Sequence, residues 1–271
     1  MGHSTLSLPA RRSQLLLAVL FSRVFAQLPA SRASRAETAP LLASAAVSLK
    51  ESLEEIGPLY HREHGVEVRY NFGGSGALEQ QIEHGAPVDV FIAASEREMD
   101  ELQSRGLLEA GTRRNLVSNE LVVATGFDSP RISRFEDLAR VDVKPIAMAE
   151  PSSIPAGNYA RETLVHLGLW DKLQPKLIFT GDVRQALIDV ETGNAAAGLV
   201  YETEVRLSGK LRVAASAPAG SHSPILYPAA AVRGSRSEAA RAFLDFLSAP
   251  EAQAVFARHG FRPPSWQGGG P

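Results

Sequence analysis

The sequence predicts an α/β fold in which parallel sheets are flanked by helices. Three observations carry that expectation. From Thr38 onward, short apolar runs alternate with stretches of helical periodicity, the order of repeated β-α-β units. The runs are bounded by Gly, Ser, Pro and Asp, residues that end strands and begin helices. A length of 271 residues allows one large domain or two smaller ones.

Residues 41–47 read as a buried strand. Ser48-Leu49-Lys50-Glu51 then matches a capping box, with Ser48 as N-cap and Glu51 at N3. Leu49, Leu53 and Ile56 follow at helical spacing. Pro58 is expected to kink this helix, because it lacks an N–H and crowds the carbonyl of Glu54. Gly65 is expected to end it. Residues 66–72 form the next strand, Gly73-Gly74-Ser75-Gly76 a tight loop, and 77–84 a helix closed by Gly85. A strand over 89–93 and a helix over 96–105 come next. Strands follow over 121–125 and 145–149, then a helix over 156–167 and a strand over 176–179. Asp182 caps a helix that runs to Gly193, and 196–200 is a buried strand. Strands over 211–215 and 226–232 and helices over 237–247 and 250–259 close the fold. The tail 263–271, rich in glycine, reads as disordered.

The first 36 residues differ from the rest. They hold five Arg and no Asp or Glu, with Arg11 and Arg12 ahead of a short apolar run over 15–21. Ala26, Ala33 and Ala36 are possible cleavage positions. This is the pattern of an export signal, and the Arg11-Arg12 pair suggests twin-arginine export. No run approaches the roughly 20 apolar residues needed to span a bilayer. Removing residues 1–36 takes five of the 28 basic residues and none of the 30 acidic ones, leaving a net charge of −7. That balance argues against nucleic-acid binding. Any anion site must then act locally, against an unfavourable overall charge. The sequence has no Cys, which excludes thiol catalysis, disulfides and Cys-ligated metals. It also excludes a lipid-modified cysteine, which favours a periplasm over an open cell surface.

Small or hydroxyl residues stand at several strand-to-helix junctions: Ser48, Gly73-Gly74-Ser75-Gly76, Pro155-Ala156-Gly157 and Asp182-Val183. Each helix start presents free N–H groups and about half a unit of positive charge. Several starts converging on one cleft would hold an anion with no Lys or Arg. Singly, each junction is as well explained by ordinary capping and turn formation.

Together the motifs resemble the molybdate-binding proteins (ModA). Ala45-Ala46-Val47-Ser48-Leu49 and Tyr70-Asn71-Phe72-Gly73-Gly74-Ser75-Gly76-Ala77-Leu78 match that family's signatures. So do Gln81 to Ile92, Pro155 to Ala160, Leu167 to Asp171, Asp182 to Leu187 and Gly198 to Tyr201, in family order. Ser221-His222-Ser223, Tyr227-Pro228, and Pro250 to Gln253 with Gly260-Phe261 extend the match across residues 40–261. The resemblance implies a type II periplasmic binding protein of two lobes, each a mostly parallel sheet flanked by helices. The oxyanion would lie in the cleft between them. Lobe 1 would comprise 38–117 and 225–262, and lobe 2 residues 118–224.

The same resemblance implies the contacts to the ion. Ser48 and Ser75 would act from the first lobe. Ala156 and Val183, through backbone N–H, and Tyr201, through its hydroxyl, would act from the second. They would touch the oxygens of molybdate or tungstate rather than ligate a metal. No cofactor and no catalysis are implied. The implied partner is an inner-membrane molybdate ABC permease, served by a monomeric receptor in the periplasm. Gly73-Gly74 departs from the serine-rich loop of the family, Ala149-Glu150-Pro151 stands where Gly-Asp-Pro is usual, and Pro58 is unexpected.

Other readings have less support. Receptors for sulfate, thiosulfate or phosphate share the chemistry, but a phosphate site is expected to offer a carboxylate acceptor for the ligand's proton. A serine hydrolase would use Ser75, yet Ala77 breaks the G-x-S-x-G pattern and no motif supplies a base. His222 reads as a loop residue. His61-x-x-His64 lacks a third metal ligand and reads as a solvated helix face. An effector lobe of a transcription regulator would need a DNA-binding domain, for which 36 residues are too few. Tyr159 and Trp170 read as core aromatics.

Overall fold

A computed structural model describes residues 39–129 and 131–264, apart from the side chain of Ser237. The export segment 1–36 and residues 265–271 of the tail lie outside the described residues. In chain order the strands are β1 (Leu41–Ala46), β2 (Val68–Gly73), β3 (Val90–Ile92), β4 (Arg114–Ser118), β5 (Leu121–Gly126), β6 (Ile146–Ala149), β7 (Leu177–Thr180), β8 (Ala197–Tyr201), β9 (Leu211–Ser216) and β10 (Leu226–Ala231). The α-helices are α1 (Lys50–His64), α2 (Ser75–Glu83), α3 (Glu96–Ser104), α4 (Pro155–His166), α5 (Trp170–Leu173), α6 (Val183–Glu191), α7 (Glu202–Ser208), α8 (Ser237–Leu247) and α9 (Pro250–Arg258).

These strands form two five-stranded sheets, ordered β2-β1-β3-β10-β4 and β7-β6-β8-β5-β9. The fold is the two-lobed α/β architecture expected, with mixed rather than mostly parallel sheets. In the first, β2, β1 and β3 are parallel, and β10 runs antiparallel to both β3 and β4. In the second, β7, β6 and β8 are parallel, and β5 runs antiparallel to β8 and β9. The antiparallel strands flank the two passages between the sheets. The chain leaves the first sheet after Ser118 and enters the second at Leu121, and it returns between Ser216 and Leu226. Neither link contains a helix, and parallel pairing of successive strands needs a long crossover.

Burial explains the strand sequences. The central strands β6 and β8 are buried throughout, because helices cover both faces. The edge strand β2 alternates partly buried and exposed positions along most of its length, as one-sided burial requires. The two sheets share a continuous apolar core running from Leu41 to Phe261. A smaller cluster under α2 and α3 contains Leu78, Phe91, Met99 and Leu102.

Ser48 is not an α-helical N-cap. It sits in a short 3₁₀ turn, Val47–Leu49, and α1 begins at Lys50 with no side-chain cap. The Ser48 hydroxyl faces Tyr227 instead. Helix α1 continues through Pro58 and ends at Gly65 (φ 71°), whose N–H donates to the carbonyl of His61. Ser75 likewise belongs to a helix, as the first residue of α2, rather than to a loop. Asp182 does cap α6: its carboxylate accepts from the Gln185 N–H at 2.8 Å. Tyr159 is a core aromatic, as expected, and Trp170 packs at the margin of that core, with Arg161 over its ring. Pro263, the first residue of the expected tail, is held beside the first sheet crossing, where its carbonyl accepts from Ser118 Oγ at 2.7 Å.

Candidate functional site

The carboxyl ends of the parallel strands of both sheets meet at one cavity, where an open α/β sheet places its ligands. Ser48 follows β1 and Ser75 follows β2. Ala156 lies in the first turn of α4, Val183 begins α6, and Tyr201 ends β8. All five line the same cavity, together with Gly74, Ala94, Ile154 and Asp182. Each is at most 3% exposed. The structure therefore brings the five contact residues named from sequence to a single site.

The walls combine apolar side chains with hydrogen-bond donors, and the Asp182 carboxylate among them is taken up by the Gln185 N–H. The first N–H groups of α2, α4 and α6 have no intrahelical acceptor. In α4 the first residue, Pro155, has no N–H, and Asn158 already donates to the carbonyl of Ile154. Ala156 and Gly157 are left to face the cavity end of the helix. Gly157 is required here by close approach, since a Cβ would lie 2.2 Å from the carbonyl oxygen of Ala149. In α6, Gln185 and Ala186 donate to Asp182, which leaves Val183 and Arg184 as the unspent N–H groups.

The hydroxyls complete the set. Ser75 Oγ accepts from the Ala94 N–H at 2.9 Å, so its own hydrogen is free to donate. Ser48 Oγ lies 3.1 Å from Tyr227 Oη. Tyr201 Oη is buried and has no hydrogen-bond partner within the protein among the described residues. Burial, reinforced by Tyr227 and Tyr159, holds its phenol well above the ordinary range, so it remains a protonated donor. A buried hydroxyl without a partner costs roughly 1–3 kcal/mol. A bound acceptor would remove that cost.

No Lys or Arg side chain lines the cavity. The nearest in sequence, Arg184, is tied away. Its guanidinium forms a two-pronged pair with Glu51 at 2.9 and 2.8 Å, and its Nε lies 2.8 Å from Glu204. The Glu51 pair joins α1 to α6 and so links the two lobes beside the site. Arg97 makes a second link, donating to the carbonyl of Ser152 at 3.3 Å.

Glu204 is fully buried, and burial pushes its carboxyl up to about 7, with Arg184 opposing the shift and Glu51 and Asp182 adding to it. Its folded value lies above the ordinary 4.5. Its contribution to stability is therefore complete below pH 4.5 and is lost as pH rises through about 7. The Glu204→Gln protein should show a thermal midpoint that falls less between pH 5 and pH 8 than the wild type's, by about 3 °C or more. Parallel midpoint curves for the two proteins would contradict this.

Nothing in the cavity resembles a catalytic dyad. The partner of Ser75 Oγ is the Ala94 N–H, and no imidazole is bonded to it among the described residues. His222 lies in the 217–225 link, with its ring against Tyr159. His64 stacks on Tyr60 at 4.4 Å. Two residues that sequence reasoning did not place at the site adjoin it: Asn119, in the first sheet crossing, and Tyr227, in β10. The one signal for Asn119 was a polar pair, Asn119-Glu120, between two apolar strands.

Comparison with known proteins agrees with this geometry. The family model of the bacterial extracellular solute-binding proteins matches residues 41–262. The molybdate-binding protein ModA of Escherichia coli is 37% identical over 227 residues, covering 80% of this chain and 86% of that protein. ModA of Haemophilus influenzae is 34% identical, covering 84% and 92%. Among solved structures, the periplasmic molybdate-binding protein of Azotobacter vinelandii superposes with a TM-score of 0.76 at 26% identity, covering 83% of this chain and all of that one. The sulfate-binding protein SubI of Mycobacterium tuberculosis shares the fold, with a TM-score of 0.74 at 18% identity over 84% of this chain and 88% of that one.

Proposed function

The chain belongs to the bacterial extracellular solute-binding protein family, and on that footing we propose that it captures molybdate, and the nearly isosteric tungstate, for an ABC importer. The ion is bound outside the cytoplasm, in a periplasm, and handed to a membrane permease. The observation that supports this reading most is the unpartnered, buried hydroxyl of Tyr201 in a cavity that no Lys or Arg lines and whose one carboxylate, that of Asp182, already accepts from the Gln185 N–H.

The chemistry follows from the donor set. A fully ionised tetrahedral dianion offers acceptors in every direction and no proton. Each hydrogen bond to such a charged acceptor contributes roughly 1.5–3 kcal/mol. A ligand carrying a proton would set it against another donor. The site's own lack of positive side chains lets the ion leave again once the lobes part. Because donors come from both sheets, the ion binds the closed form better than an open one and shifts the population toward closure. The closed form is what the permease reads, since it alone presents both lobes in fixed relation. The hydroxyl of Ser75 acts as a donor and not as a nucleophile.

Calorimetric titration of the purified protein with molybdate, tungstate, sulfate and phosphate tests the reading. Molybdate and tungstate should bind with similar affinity and far more tightly than the other two. Displacement of molybdate by an equal concentration of sulfate would overturn it.

A further inference from the structure

A chain of buried hydrogen bonds leads from the sheet crossing to the cavity. Its first member is Asn119, whose amide orientation is fixed. The Glu120 N–H donates to Asn119 Oδ1 at 2.9 Å, so Oδ1 faces that group and Nδ2 points the other way. Nδ2 then donates one hydrogen to Thr203 Oγ1 at 2.9 Å and the other to Tyr227 Oη at 3.1 Å. Thr203 lies on α7, in the second lobe, and Tyr227 on β10, in the first sheet. The amide thus bridges both sides of the crossing.

Tyr227 Oη, having accepted from Asn119, keeps its single hydrogen to give. The other group within reach is Ser48 Oγ, at 3.1 Å. Asn119, Thr203, Tyr227 and Ser48 are all buried, so bulk water does not compete for these bonds. The Tyr227 ring is held edge-on against Phe261 and Tyr201, at centroid distances of 5.3 and 6.1 Å. Burial also keeps this phenol above its ordinary range, against the pull of its bonds to Ser48 and Asn119, so it stays protonated.

We infer that Tyr227, oriented by Asn119, is a positioning residue that fixes Ser48 as a hydrogen-bond donor to the bound oxyanion. The direction of donation runs from Asn119 to Tyr227, from Tyr227 to Ser48, and from Ser48 to the ion. With its lone pair filled by Tyr227, Ser48 has its own hydrogen committed to the cavity. Hydrogen bonds aligned head to tail polarise one another, so the terminal donor is strengthened. The inference rests on the function proposed above.

The test is a double-mutant cycle read by calorimetry with molybdate, using wild type, Tyr227→Phe, Ser48→Ala and the double variant. Phenylalanine keeps the ring packing and removes the hydroxyl alone. Tyr227→Phe should lower affinity by about ten-fold in the wild-type background, the scale of one hydrogen bond to a charged group. In the Ser48→Ala background the same change should alter affinity by less than about two-fold, because the group through which it acts is gone. Equal losses in both backgrounds would show that Tyr227 acts through packing and would overturn the inference. Should Tyr227→Phe fail to fold, Asn119→Asp serves in the same cycle. The new carboxylate draws the phenol's hydrogen away from Ser48, so affinity should fall by more than about ten-fold with Ser48 present and by much less without it. A loss independent of Ser48 would again overturn the inference. Wild-type protein that binds no molybdate would remove the proposed function itself, whereas tight wild-type binding with an additive cycle removes the relay alone.

Discussion

Gly76→Ala should lower molybdate affinity by about 100-fold while leaving the thermal midpoint of the ligand-free protein unchanged or slightly raised. Gly76 is the second residue of α2, in the first lobe. A Cβ built there would lie 2.3 Å from the carbonyl oxygen of Ser153, which belongs to the turn before α4 in the second lobe. That oxygen is backbone, and the turn is anchored by the Ile154 N–H on the carbonyl of Glu150 at 2.9 Å, so it cannot swing aside as a side chain would. The strain is relieved by parting the lobes. Parting them leaves the packing within each lobe intact, and the weak, partly exposed Glu51–Arg184 and Arg97–Ser152 links it releases are offset by the better helix propensity of alanine over glycine. What is lost is the second lobe's share of the site: losing the equivalent of one to two charge-assisted bonds gives a loss on the order of 100-fold. Titration, together with small-angle scattering at saturating molybdate, checks the result. A variant that binds within two-fold of wild type and compacts as wild type does would refute the wedge.

Tyr201→Phe should separate binding from stability in the opposite way to Ser75→Ala. Tyr201 Oη has no partner within the protein among the described residues, so removing it deprives no protein group of a bond. Affinity for molybdate should fall by about 10- to 100-fold, and the ligand-free midpoint should hold or rise. Ser75 Oγ, by contrast, serves the buried Ala94 N–H. Ser75→Ala should cost a similar factor in affinity and also lower the midpoint, because it orphans that N–H. Titration and thermal melts of both variants read the two effects side by side. A Tyr201→Phe protein that binds as tightly as wild type would place the ion elsewhere.

Much of the fold was legible because buried parallel strands announce themselves. The apolar runs at 41–47 and 196–200 became β1 and β8 within one or two residues, and Asp182 capped α6 as its side-chain chemistry dictates. Ser48 shows where such reading stops. Its four-residue pattern fits a capping box, but the pull of Tyr227 across the sheet and the tight turn at Val47–Leu49 override the local preference. Strand β4 went unread because Arg114 and Asn115 open it and leave only Leu116 and Val117 apolar, and helix α7 because its two apolar residues, Val205 and Leu207, do not share a helical face. The mixed sheets went unread because strand direction at the crossings depends on which sheet the chain enters, which no local window contains. The five contact residues were legible through family resemblance, and they converge on one cavity. The obstruction that a side chain at Gly76 would meet and the reach of Asn119 were not, because both depend on groups distant in sequence that meet only when the lobes pack.

The burial of the contact residues between two lobes has a consequence in time. Every contact residue is at most 3% exposed, and Gly74 and Gly76 lie close against Ile154 and Ser153 of the other lobe, so an ion held by both lobes is expected to leave as they part. Residence should then follow how often the lobes part, which the Glu51–Arg184 and Arg97–Ser152 links oppose, rather than the rupture of any single bond to the ion. Such a receptor holds its cargo against dilution during diffusion. On the proposed function, discharge would then be timed by whatever surface parts the lobes.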